Sequence, residues 1–165
     1  MSRHSRWLRS VKGFTLVELA VVIVIIGVLA AFGVPRFLKS VERSKAAEAF
    51  GYLSAVCSAQ ERYIAREGTY ADNISKLDIS NSPPKYFTLP EGGTISAGPV
   101  TADGGTATIQ NSWSMTLTRG TPNGGYGNYT VVFTQQGYDS SSTIEAIPAI
   151  NPMAGSTTNT GGGGS

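Results

Sequence analysis

The chain has 165 residues, enough for one domain of modest core together with a membrane segment. Its formal charge of +2 is unevenly spread: Arg3, Arg6, Arg9 and Lys12 sit in residues 1–13 with no acid, and the remainder carries nine basic against eleven acidic residues. That balance excludes the global basic bias of many nucleic-acid binders, and no nucleic acid is indicated as a partner. A single cysteine, Cys57, excludes an intrachain disulfide. The one histidine, His4, lies in the basic head, so histidine-dependent triads and metal sites are unavailable to the rest.

Residues 1–13 form a polar, cationic leader of the kind the positive-inside rule keeps in the cytoplasm. Phe14 to Val34 follows, and its length at about 1.5 Å per residue is roughly 31 Å, matching a bilayer core of about 30 Å. The sixteen residues from Leu19 to Val34 carry no polar side chain, which isolates Glu18 at the edge of the apolar run. A charge inside a spanning helix costs about 2.5–3.5 kcal/mol on insertion scales, so Glu18 is expected to have a functional partner. A conventional secretory signal fits less well, because the run exceeds the usual h-region, contains Glu18 and meets no convincing A-x-A site.

Beyond Pro35 the pattern becomes amphipathic. Leu38, Val41, Ala46, Ala49, Phe50, Leu53, Val56 and Cys57 recur at three and four spacing, with Arg43, Glu48, Glu61 and Arg62 available to the other faces. This half of the helix, residues 36–68, is expected to end at Gly68, a residue suited to a left-handed C-terminal turn. Cys57 falls on the apolar side, as a packed thiol would. Pro35 removes a helix donor and crowds the carbonyl of Ala31, so Gly27, Gly33 and Pro35 mark the expected kink. The alternative is that spanning helices tolerate these residues without special purpose.

Residues 69–111 read as an irregular connection with turns at Asn81-Ser82-Pro83-Pro84 and Asp103-Gly104-Gly105, and with short strand candidates at Tyr86–Leu89 and Thr106–Gln110. Trp113, Met115 and Leu117 alternate with Ser114, Thr116 and Thr118, the period of a strand with one buried face. Asn128–Thr134 gives a second strand across the loop Gly120–Gly127, and Ser142–Ala146 a third. The expected fold is α+β: a long N-terminal helix whose amphipathic half covers a small antiparallel sheet within residues 69–150. Residues 151–165, ending in Gly161-Gly162-Gly163-Gly164-Ser165, read as a flexible tail, either native low complexity or an added linker.

The stretch from Val11 to Pro35, with Gly13, Phe14-Thr15-Leu16-Val17-Glu18 and the late proline, resembles the class III signal of prepilins. That family comprises the type IV pilins and the type II secretion pseudopilins, and Ser58-Ala59-Gln60-Glu61-Arg62-Tyr63 with Gly68-Thr69-Tyr70 is similar to the end of their helix. The resemblance implies cleavage between Gly13 and Phe14 by a prepilin peptidase and N-methylation of Phe14. It also implies an inner-membrane precursor and, with the pilus or secretion assembly machinery as partner, a homopolymeric filament in the periplasm or at the cell surface. Glu18 would then attract the Phe14 amine of a neighbouring copy, with Thr15 either adding a hydroxyl contact or simply capping the helix. The chain would be a structural subunit and not an enzyme, with no cofactor.

Two family features are missing: the cysteine pair that closes a C-terminal loop in many type IV pilins, and the early Tyr-Pro segment of major pseudopilins. Major pseudopilins hold calcium in a C-terminal loop. Asp139 and Glu145 are weak candidates, better read as solvated acids, and no metal ligand is expected. A pseudopilin remains the alternative to a pilin, and a membrane-anchored binding module that never polymerises is a third reading.

Overall fold

The computed structural model describes residues 13–98, 106–120 and 126–154; the leader to Lys12, the Asp103-Gly104-Gly105 turn, most of the Gly120–Gly127 loop and the tail beyond Ala154 lie outside them. A 52-residue helix, α1, runs from Leu16 to Glu67 with Pro35 inside it. The chain divides at residue 37 into two compact units, Met1–Phe37 and Leu38–Ser165.

In the first unit every described residue is exposed, including Val21, Ile23, Ile26, Leu29 and Phe32. A helix apolar on all sides has no polar face to give to water, and this one is long and apolar enough to cross a membrane. In the second unit α1 turns one stripe inward: Glu42, Ala46, Ala49, Leu53, Val56 and Gln60 are buried at helical spacing. Gly68 ends the helix with a φ of 74°, donating its N–H to the Ile64 carbonyl at 2.9 Å. A glycine meets that left-handed C-terminal geometry without a Cβ penalty.

The sheet is antiparallel, in the order β1 (Ser114–Arg119), β2 (Tyr129–Thr134), β3 (Gly137–Tyr138). Met115 faces Phe133 and Leu117 faces Val131, so both strands send one face into the core that α1 also lines. The T-shaped contact of Phe50 with Phe133, centroids 5.7 Å apart, and that of Phe87 with Tyr129 at 5.8 Å carry the aromatic part of that core.

Several strand expectations are corrected. Tyr86–Leu89 contributes one bridge, Thr88 to Thr118, and Ser96 contributes another to Ser114. These two points flank the free side of β1, so the chain satisfies that edge without forming a continuous strand. Gly98 is required beside the second of them, because a Cβ there would lie 2.6 Å from the Trp113 carbonyl oxygen. Thr106–Gln110 is coil and turn; its Ile109 carbonyl accepts the Tyr70 N–H at 3.1 Å.

The third strand is Gly137–Tyr138, while Thr143–Ala146 winds into a 3₁₀ turn. The reason is visible at the edge of β2. The N–H groups of Val132 and Thr130 donate to the side-chain hydroxyls of Ser142 at 2.9 Å and Thr143 at 2.7 Å, and within the turn Thr143–Ala146 only Ile144 is buried. Side-chain oxygens complete the ladder that a fourth strand would otherwise complete. Asn151, the first residue of the expected tail, is buried.

Candidate functional site

At the start of α1, Thr15 and Glu18 cap the helix reciprocally. The Glu18 N–H donates to Thr15 Oγ1 at 3.2 Å, and the Thr15 N–H donates to Glu18 Oε2 at 2.8 Å. The Thr15 hydroxyl also reaches that oxygen at 3.0 Å. This is the S/T-x-x-E capping box, in which two helix-terminal donors find partners on one another's residues. All the Thr15 bonds to the carboxylate converge on Oε2, leaving Oε1 without a protein partner among the described residues. Phe14 precedes the box and is exposed, and a Cβ on Gly13 would meet nothing within 4 Å. The same open space surrounds Gly27 and Gly33, and Pro35 lies within the assigned helix.

A second glutamate on the same helix is handled in the opposite way. Glu42 is 1% exposed and receives Arg119 Nε on Oε1 at 2.8 Å and Arg119 Nη2 on Oε2 at 3.3 Å. The Tyr129 hydroxyl donates to the same Oε1 at 2.9 Å, and Lys45 Nζ approaches Oε2 at 3.5 Å. Arg119 Nη1 is spent on the carbonyls of Tyr86, at 3.1 Å, and Gly120, at 3.0 Å.

Burial alone would raise the Glu42 carboxyl; its bonds to Arg119 and Tyr129 outweigh that and hold it below the ordinary carboxylate value. Burial together with the Glu42 bond pushes the Tyr129 phenol up, so it stays the donor. The sequence reading passed over this network, although a signal existed. Glu42 occupies the buried phase of α1 four residues before Ala46, and Arg119 continues the inward alternation of Met115 and Leu117.

Two further polar clusters hold the ends of the second unit. Gln60 reads Ala71 like a paired strand, its amide donating to the carbonyl at 2.9 Å and accepting the N–H at 2.8 Å. Near the C-terminal end, Glu145 accepts from the Tyr138 hydroxyl and from Asn151 Nδ2 at 3.0 Å. Burial and the Glu145 bond push the Tyr138 phenol up to about 12. Asp139 accepts the Ser141 N–H at 2.7 Å, a local turn contact. Cys57 is half-buried against the core, and burial raises its thiol pKa.

Residues 8–34 match the model of the prokaryotic N-terminal methylation motif. The type IV narrow pilus major component PilA5 of Thermus thermophilus is 37% identical over 112 residues, 66% of this chain and 88% of that protein. The type IV major pilin protein PilA of Myxococcus xanthus is 38% identical over 78 residues, which are 47% of this chain and 36% of that longer protein. The fimbrial protein EcpC of Eikenella corrodens is 44% identical over 65 residues, covering 39% and 42% of the two chains. A capped apolar helix that matches the methylation motif, an α+β second unit, and similarity along most of a pilus component agree on one assignment. The chain belongs to the type IV pilin family.

Proposed function

We propose that the chain is a pilin, a structural subunit that polymerises into a type IV pilus-like filament. Prepilin peptidase would cut between Gly13 and Phe14 on the cytoplasmic side, N-methylation would follow at Phe14, and the single span would hold the unassembled subunit in the inner membrane. The observation that carries this reading is the pairing of an all-round exposed apolar helix with one carboxylate at its N-terminal end. Twelve Val, Ile and Leu side chains lie between Phe14 and Val34; at about 1.5–3 kcal/mol for each one fully buried, bundling them yields some tens of kcal/mol before association costs.

Within such a bundle Glu18 supplies register. Thr15 keeps Oε2, and Oε1 is open to the Phe14 amine of the next copy. Each charge alone is expensive in apolar surroundings, and a close pair recovers much of that cost, which favours one alignment over its neighbours. A head-to-tail contact of this kind leaves a matching surface free at each end and propagates as a helix.

The test joins mass spectrometry with filament yield. The mature chain should begin at methylated Phe14, and Glu18→Ala should insert in the membrane yet lower filament yield about ten-fold or more. An N-terminus elsewhere, or normal filaments from the variant, overturns the reading. A secretion-fibre subunit is the second reading, favoured by one observation: the single Cys57 cannot form the C-terminal staple of many pilins. Loss of protein export with retained surface pili on deletion would select it.

A further inference from the structure

Charge in the second unit is strongly segregated. Lys39, Arg43, Lys45, Lys85 and Arg119 occupy the first turns of its α1 segment or the chain packed there, with only Glu42 and Glu48 as acids. The remainder of the described unit has three cations against seven carboxylates, and two of those cations are already paired, Arg62 with Asp78 and Lys76 with Asp72. Lys39, Arg43 and Lys85 make no ion pair among the described residues.

The cationic end is also where the unit shows apolar surface. Among the described residues of the unit, Leu38 at 39% and Tyr86 at 40% are two of the three exposed large hydrophobic side chains, Met153 being the other. Three cations surround the Tyr86 ring: Lys45 Nζ at 4.7 Å from its centroid, Arg119 Cζ at 5.5 Å and Lys85 Nζ at 5.8 Å. The backbone beneath the ring is fixed in advance. Lys85 N–H donates to Glu48 Oε1 at 3.0 Å, and the Tyr86 carbonyl accepts from Arg119. An open groove of about 310 Å³ adjoins it, lined by Lys85, Tyr86, Thr88 and Arg119 among others.

We propose that this end docks on the anionic phospholipid headgroups of the membrane that holds the unassembled subunit. Tyrosine with a wet hydroxyl and lysines with long apolar stems are the side chains that settle at a membrane–water interface, and lysines near an anionic surface are drawn to it. Lys39 follows Val34, the end of the apolar run, by only five positions, so a lipid phosphate is the first anion this surface meets. The nine basic to eleven acidic residues outside the leader disfavour a free nucleic acid, which the acidic remainder of the unit would repel. Docking would hold the head against the bilayer until assembly lifts it off, with the acidic remainder facing water.

The proposal rests on the spanning role of the first half of α1, and the test separates the two. The full chain is placed in lipid nanodiscs of phosphatidylcholine alone or with phosphatidylglycerol; failure to incorporate rejects the span. In discs carrying a gadolinium-chelate headgroup lipid, amide signals of Lys85–Thr88 should broaden more than those of Asp139–Glu145, and only with the anionic lipid. Lys39→Gln and Lys85→Gln, neither of which removes a side-chain bond to Glu42 or Arg119, should each lower the docked-to-free ratio about five-fold, and 0.5 M salt should abolish the difference. Equal broadening of the two segments, or broadening indifferent to lipid charge or to both substitutions, overturns the proposal. So does tighter, lysine-dependent binding of a single-stranded oligonucleotide or of polygalacturonate by the chain in neutral discs, which reassigns the surface to a soluble polyanion.

Discussion

Glu18 and Glu42 lie on one helix, yet their carboxylates are satisfied on different scales. Glu18 finds its partners three residues away, at Thr15, in a segment whose described residues are all exposed. Glu42 finds its strongest partners 77 and 87 residues away, at Arg119 and Tyr129. The first half of α1 therefore leaves its apolar surface exposed and one carboxylate oxygen without a partner among the described residues, whereas the second half turns a stripe of side chains onto its own sheet. A carboxylate closed inside its own unit stabilises a fold; one held on a single oxygen can still recruit.

The sharpest break of that comparison is Glu42→Ala. It strands the Arg119 guanidinium in a buried site and should destabilise the second unit by about 3–5 kcal/mol in urea denaturation of the full chain in detergent. An unchanged midpoint would mean the pair is solvated after all. Replacing both partners, Glu42→Leu with Arg119→Met, should recover most of the loss.

Acid probes the same pair without mutation. Because the folded Glu42 pKa is depressed, its contribution is complete above the unfolded value of about 4.5 and disappears as pH falls through the lower folded value. Thermal midpoints of the wild type should drop below about pH 4.5, and Glu42→Gln should flatten that part of the profile. An identical slope in both proteins would locate the acid sensitivity elsewhere.

Smaller effects sharpen the local side of the contrast. Thr15→Val removes the cap and should cost about 1 kcal/mol of first-turn stability, read as faster amide exchange near Leu16–Leu19, while leaving the unfolding midpoint of the second unit alone. A shifted midpoint would show that the two halves of α1 are energetically coupled. Smallest of all, Arg62→Ala breaks an exposed pair with Asp78 and should cost under about 1 kcal/mol, less in high salt.

The periodic elements were legible because their signals are local. The apolar half of α1 reads as a helix from length and hydropathy alone, Gly68 stops it by its own backbone freedom, and β1 and β2 alternate over enough residues to fix their inward faces. Glu42 and Arg119 were legible only as polar residues in apolar phase; nothing in either neighbourhood says that they meet. The failures share a cause. Tyr86–Leu89 and Ser142–Ala146 have strand-like composition, but the edges they approach are completed by single bridges at Thr88 and Ser96 and by the hydroxyls of Ser142 and Thr143.

The sequence by itself therefore determined the apolar helix, its N-terminal motif, its C-terminal stop and the two principal strands, since each depends on residues within a few positions of one another. Only the tertiary structure decided which carboxylate is buried, how the sheet edges are closed and where Tyr86 gathers its three cations. Those outcomes depend on which distant groups reach a desolvated site together. Taking a charge out of water fixes its partners only after the chain has brought them within hydrogen-bond range.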